Sequence, residues 1–207
     1  MPTLIGGKIT ILAGGWSASQ FDLRKLPGTI IAVNDSAKYA PRWDILVSMD
    51  RLWAENRWRD VVLKTAKPCW LRKSTLRNCE PVPAHVTQYL NDHACIQLSD
   101  EPGRLDGTHS GFCALNLAYQ MRPKDLFLVG FDMARGPRDE AHWFPQYPWV
   151  SKHATGVKRF AEWADQFAIA ARQLGEAGIA VHLCGKHSAI PSWSRTSRSE
   201  LEQACAA

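Results

Sequence analysis

The sequence predicts a single α/β domain of Rossmann-like, three-layer architecture, with a mostly parallel sheet. Three observations predict it. Short apolar runs recur along the chain, and each stops at a polar or glycine-bearing turn. Helical-period stretches lie between those runs. The stretch Asp106 to Ala134 then reads as a polar turn, an apolar helix closed by Pro123, a buried strand Leu126 to Val129, and a carboxylate, Asp132, at the strand's end. In open α/β sheets, ligands bind outside the carboxyl ends of the strands, so the pocket is expected there.

The first strand is read at Lys8 to Ala13, running into Gly14-Gly15 and a short helix-like stretch past Ser17 and Ser19. Strand, glycine turn and helix make a nucleotide-binding type of opening, although neither G-x-G-x-x-G nor a P-loop lysine is present. Thr29 to Val33, rich in β-branched residues, is the second strand and ends in Asn34-Asp35. Asp44 to Met49 is the third, ending in Asp50. An amphipathic helix is expected over Arg51 to Thr65 and further strands at Pro68 to Leu71 and Ala94 to Leu98, with a basic, proline-broken loop between them. Arg135 to Lys152 is long for a connection and rich in Gly, Pro, His and aromatics, which marks a lid. A helix over Thr155 to Leu174 and a last strand at Ile179 to Leu183 complete a domain of residues 1–192, leaving 193–207 as a polar tail with a short helix at its end.

Composition narrows the function classes. The chain of 207 residues is 45% hydrophobic and 22% charged, which suits one soluble globular domain. Its net charge of +5, with a pI of about 9.0, favours small anionic ligands but is too scattered for a nucleic-acid surface. No apolar run is long enough to span a membrane and no secretory signal is visible. The six cysteines form no C-x-x-C pair and read as buried thiols in a reducing cytoplasm rather than as a zinc site. Nine tryptophans is a high count, and Trp53, Trp58, Trp143 and Trp163 stand beside charges, as on half-buried or stacking surfaces. A homo-oligomer is compatible with all of this.

The candidate site gathers from the strand ends. Gly14, Gly15 and Ser17 form the first turn, Asn34 and Asp50 end the second and third strands, Ser110 and Gly111 open the central helix, and Asp132 ends the strand after it. Bare backbone N–H groups at Ser110 and Gly111 suit a phosphate. Each polar residue also suits a plain turn or helix cap, and the coincidence of the set favours the ligand reading. His142, Trp143 and Tyr147 lie in the lid, on the side where an acceptor would enter. His153, between the aromatic loop and the late helix, is the candidate general base, because a helix N-terminus favours neutral imidazole. His109 and His142 read as caps or surface residues. No triad order or H-E-x-x-H spacing marks a hydrolase or metal centre.

Taken in order, I-L-A-G-G-W-S-A-S, I-A-V-N-D-S, L-V-S-M-D, T-H-S-G-F-C-A-L-N-L-A, L-F-L-V-G-F-D-M, K-H-A-T-G-V-K-R-F and G-I-A-V-H-L-C-G-K-H-S-A-I resemble a Rossmann-type superfamily. It holds bacterial lipo-oligosaccharide sialyltransferases and 6-hydroxymethylpterin diphosphokinase-like proteins. The chain is most similar to uncharacterised tailed-phage and prophage members that share V-G-F-D-M…H-W…P. The resemblance implies nucleotide contacts at Gly14, Gly15, Asn34, Ser110 and Gly111, and a general base at His153. It implies a transferase using a nucleotide-activated sugar. The alternatives are diphosphate transfer from ATP, with Mg²⁺ near Asp50 or Asp132, or a non-catalytic nucleotide-binding accessory protein. The chain departs from the sialyltransferases in carrying Asp50 for their Asn and Met133 for a tyrosine that steadies the leaving phosphate, with Tyr147 left to supply the second such tyrosine.

Overall fold

The computed structural model describes residues 6–149 and 157–206. Eight strands form one sheet: β1 (Lys8–Leu12), β2 (Thr29–Val33), β3 (Ile45–Ser48), β4 (Cys69–Arg72), β5 (Val86–Tyr89), β6 (Asp125–Val129), β7 (Ala180–Cys184) and β8 (Arg195–Thr196). The order is β5-β4-β3-β2-β1-β6-β7-β8, and every pairing is parallel. The architecture is therefore the Rossmann-like α/β one, with a sheet parallel throughout its described strands.

Period-two alternation makes the layers. Ile9, Ile11, Ile31, Val33, Val47, Leu126 and Leu128 face one side, where they pack on helix α3 (Ser110–Met121) and on Phe167 and Leu174 of α4 (Val157–Glu176). Leu12, Ile30, Ala32, Leu46, Phe127 and Val129 face the other, against α1 (Ser36–Tyr39), α2 (Arg51–Arg57) and Leu201 of α5 (Arg198–Ala206). The one polar residue inside β1, Thr10, donates its hydroxyl proton to the Pro27 carbonyl at 2.7 Å, which satisfies it in the core.

Every residue of α3 except Gln120 is buried, so this helix is the spine of one layer. Its buried Asn116 organises the approach to the site. The Asn116 Oδ1 accepts from the Ser99 and Asp106 amides at 3.1 and 2.9 Å, and its Nδ2 donates to the Ser99 carbonyl at 2.8 Å. The loop before the helix is thus fixed by a side chain inside it. The helix stops at Arg122, which adopts the left-handed conformation (φ 52) ahead of Pro123.

Three expectations need correction. Ala94 to Leu98 is loop, and the fifth strand is Val86–Tyr89. That strand has only Val86 and Tyr89 buried, an edge pattern too polar to stand out as an apolar run. The helix read over Arg51 to Thr65 is α-helical only to Arg57. It continues as a π-helical turn, Trp58–Val62, with Leu63 N–H bonding the Trp58 carbonyl at 2.8 Å. Trp53 and Trp58 are buried at 2% and 5% exposure rather than half-exposed; Asp35 accepts the Trp53 indole N–H, which lets that ring enter the core. Beyond residue 192, the chain supplies β8 and α5.

Candidate functional site

Chain order reverses beside β1. From β1 the chain works outward through β2 to β5, then returns through α3 to place β6 on the other flank of β1. Two crossovers that diverge from one strand leave a crevice at its carboxyl end. A cavity of about 250 Å³ lies there, lined by Gly14, Gly15, Asn34, Asp50, Ser110, Gly111 and Asp132 among others. That volume sits just below the ~300–1,000 Å³ usual for small-molecule sites, so it suits one small ligand. Of the strand-end residues read from the sequence, only Ser17 stands outside the lining, as does Trp143 of the loop.

Ser17 is engaged behind the cavity. Its backbone N–H donates to Asp132 Oδ2 at 2.8 Å, and its hydroxyl donates to Oδ1 of the same carboxylate in a very short contact. Gly15 N–H bonds the Gly130 carbonyl at 2.9 Å. A Cβ on Gly15 would stand 2.5 Å from that carbonyl oxygen and 2.8 Å from Asp132 Cγ. Gly15 is therefore glycine because β1 and β6 close on each other here. Burial pushes the Asp132 carboxyl up, and the Ser17 donors pull against it. Each Asp132 oxygen accepts one bond from Ser17 in this join.

His109 is the N-cap of α3, with its Nδ1 accepting from Phe112 N–H at 3.3 Å. The Ser110 hydroxyl is used to accept the Met49 amide at 3.1 Å, tying the end of β3 to the helix. The N–H groups of Gly14, Ser110 and Gly111 donate to no described residue, and all three residues line the cavity. Unsatisfied amides at the start of a helix, beside a glycine turn, favour a phosphate or carboxylate.

Asn34 stands across from them. It holds a left-handed backbone (φ 53), its side chain bonds to no described residue, and its Oδ1 is shut from solvent without a partner. Its Nδ2, which has no described acceptor and is not shut off in this way, is the atom a ligand's polar edge would satisfy. Asp50 caps α2, with Oδ1 accepting the Trp53 amide at 2.7 Å, while the rest of the residue is exposed at the cavity rim.

Loop residues 135–149 roof the cavity with rings. Trp149 stacks on Tyr147 at 5.2 Å, Tyr147 meets His142 edge-on at 5.1 Å, and His142 stacks on Phe144 at 4.9 Å. The loop is pinned to the glycine turn by the Trp143 amide on the Gly14 carbonyl and its indole N–H on the Ala13 carbonyl, both at 3.1 Å. From the α4 side, Phe160 and Trp163 complete the wall.

Two described histidines line the cavity. Burial holds His109 at about 3, so its imidazole is neutral; with Nδ1 accepting, the proton resides on Nε2, which is shut from solvent and without a described partner. Such a ring donates and does not act as a base. His142 is also held below the ordinary imidazole range by burial, against the upward pull of the Gly14 backbone. His153 and loop positions 150–152 lie outside the described residues.

Asp132 accepts from Ser17 and one Asp50 oxygen accepts from Trp53, and no group of three or more His, Cys, Asp or Glu side chains that could hold a metal ion occurs among the described residues. Cys69, Cys79, Cys95 and Cys113 are free thiols, Cys95 half-buried and the other three buried. No described helix is long and apolar enough to cross a membrane.

Sequence reasoning missed the buried pair Asp35–Arg57 and the tryptophans they hold. The spacing of Trp53 and Arg57, one helical turn apart, carried that signal. Comparison of the chain with family models, with curated proteins and with solved structures finds no match.

Proposed function

We propose that the protein binds a nucleotide at the β1/β6 crevice and acts as a transferase on its activated group, most like a glycosyltransferase using a nucleotide sugar. One observation carries this reading: Gly14, Ser110 and Gly111, whose backbone N–H groups donate to no described residue, line a single cavity together with Asn34 and an aromatic wall. The amides suit the phosphate, the Asn34 amide suits a base or sugar hydroxyl, and the rings suit the planar base. Preorganised N–H donors would also stabilise charge on the leaving phosphate without reorganising.

The base belongs to a histidine. His142 lines the cavity, and burial holds it below the ordinary imidazole range; His153 is proposed from its place in the sequence and the family resemblance. A thermal-shift screen of nucleotides, nucleosides and nucleotide sugars, with and without Mg²⁺, tests the binding step. Turnover assays of His142→Ala and His153→Ala with the best donor test the chemistry: the true base should lose about 10²–10⁴-fold in rate with little change in nucleotide affinity. Stabilisation by nucleotides with no turnover by the parent would make the protein a binding module, and no stabilisation by any of them would end the proposal.

A further inference from the structure

Helix α2 sends two side chains to one buried carboxylate. Asp35, 1% exposed and next in sequence to Asn34, accepts the Trp53 indole N–H at 2.8 Å and both Arg57 Nε and Nη2 at 2.8 Å. The fork of two bonds fixes the plane of the guanidinium, which a lysine ammonium could not do. Trp149 rests on that plane, its ring centroid 4.6 Å from Arg57 Cζ. Trp149 in turn stacks on Tyr147, which meets His142, and all three rings line the cavity, whereas Asp35 and Arg57 do not. A buried ion pair contributes little net stability compared with apolar packing, so its presence behind a cavity wall calls for a second reason.

We infer that Arg57 is a positioning residue for the cavity: held by Asp35, it sets the place of Trp149 and so of the ring wall that meets the ligand. Arg57 ends α2 where the helix widens into its π turn, with backbone angles of φ −110 and ψ −1, a local irregularity of the kind often found at functional sites. The identity of what the wall meets rests on the nucleotide reading; the placement of the wall does not.

The test needs no ligand at first. The Trp143 amide, bonded to the Gly14 carbonyl, reports whether the loop is seated. Its hydrogen exchange is measured in the parent, Arg57→Lys, Trp149→Ala and the double variant, with amides of β1 and β6 as controls. Arg57→Lys keeps the charge, and Trp149→Ala leaves the buried pair untouched should the lysine variant fold poorly. A cation–π contact of ordinary strength predicts exchange faster by roughly 2- to 30-fold at Trp143 in each single variant, unchanged controls, and a double variant no faster than the singles. Parental exchange in both single variants, or effects that add in the double variant, overturns the inference. Titration with cytidine 5′-monophosphate then reads the consequence: a parent that binds it and an Arg57→Lys variant that binds it more weakly supports the inference, equal affinity overturns it. If the parent binds no nucleotide, the nucleotide reading fails while the exchange result still decides the positioning role.

Discussion

Replacing Gly15 with alanine puts a methyl group where the join between β1 and β6 leaves no room. The added carbon would lie 2.5 Å from the Gly130 carbonyl oxygen, 2.8 Å from Asp132 Cγ and 2.9 Å from Asp132 Oδ2. The first of these is backbone, so the strand ends must separate rather than a side chain swing away. Separation stretches the Gly15 N–H bond to Gly130 (2.9 Å) and the Ser17 N–H bond to the carboxylate (2.8 Å). Losing a neutral bond at about 0.5–1.5 kcal/mol and one to a charged group at about 1.5–3 kcal/mol gives a cost of roughly 2–4.5 kcal/mol. For a chain of this size that lowers Tm by roughly 4–18 °C, at about 2–4 °C per kcal/mol. Thermal unfolding followed by circular dichroism reads it. A Gly15→Ala protein that melts with the parent would refute the argument that packing, and not a ligand, dictates this glycine.

Ser17→Ala removes one donor from the buried Asp132 carboxylate and should cost roughly 1.5–3 kcal/mol, with the carboxyl pushed further up; an unchanged Tm at neutral pH would show that the Ser17 hydroxyl contributes nothing. His109 gives a pH signature. Its folded value of about 3 lies below the ordinary ~6.5, so the unfolded chain takes up the proton first and stability falls as pH drops below about 6.5. By pH 5 this costs roughly 2 kcal/mol at ~1.36 kcal/mol per pH unit. Asparagine keeps the helix cap without titrating, so His109→Asn should lose that much less between pH 7 and 5, measured by denaturant unfolding; coincident acid limbs would mean the ring is not held neutral.

The sheet was legible because its central strands are runs of β-branched and apolar residues buried on both faces, as Thr29–Val33 and Asp125–Val129 show. The edge strand Val86–Tyr89 was not, since burial at its two ends alone leaves no continuous pattern. The cavity residues could be read from position, because parallel strands share one carboxyl edge and Asn34, Asp50, Gly111 and Asp132 all follow strands or the central turn. Their roles divided in ways that sequence does not encode. Asp132 faces Ser17, a contact across 115 positions in the chain, and the Ser110 hydroxyl faces the Met49 amide across 61. Asp35 stands in the sequence only as the residue after Asn34 at a strand end, and the fold brings Arg57 and Trp53 onto it.

The phosphate seat at the start of α3 is the claim on which the functional reading turns. Calorimetric titration of the parent and of Gly111→Val with cytidine 5′-monophosphate and with cytidine isolates it. A Cβ at Gly111 would already stand 3.1 Å from His109 Nδ1 and 3.2 Å from Phe131 Cε1, so the larger side chain crowds the helix start. One charge-assisted bond at about 1.5–3 kcal/mol predicts that the parent prefers the nucleotide over the nucleoside by at least about tenfold, and that the Gly111→Val variant loses this preference. Equal affinity of the parent for the two ligands, or a preference that survives in the variant, would contradict the account.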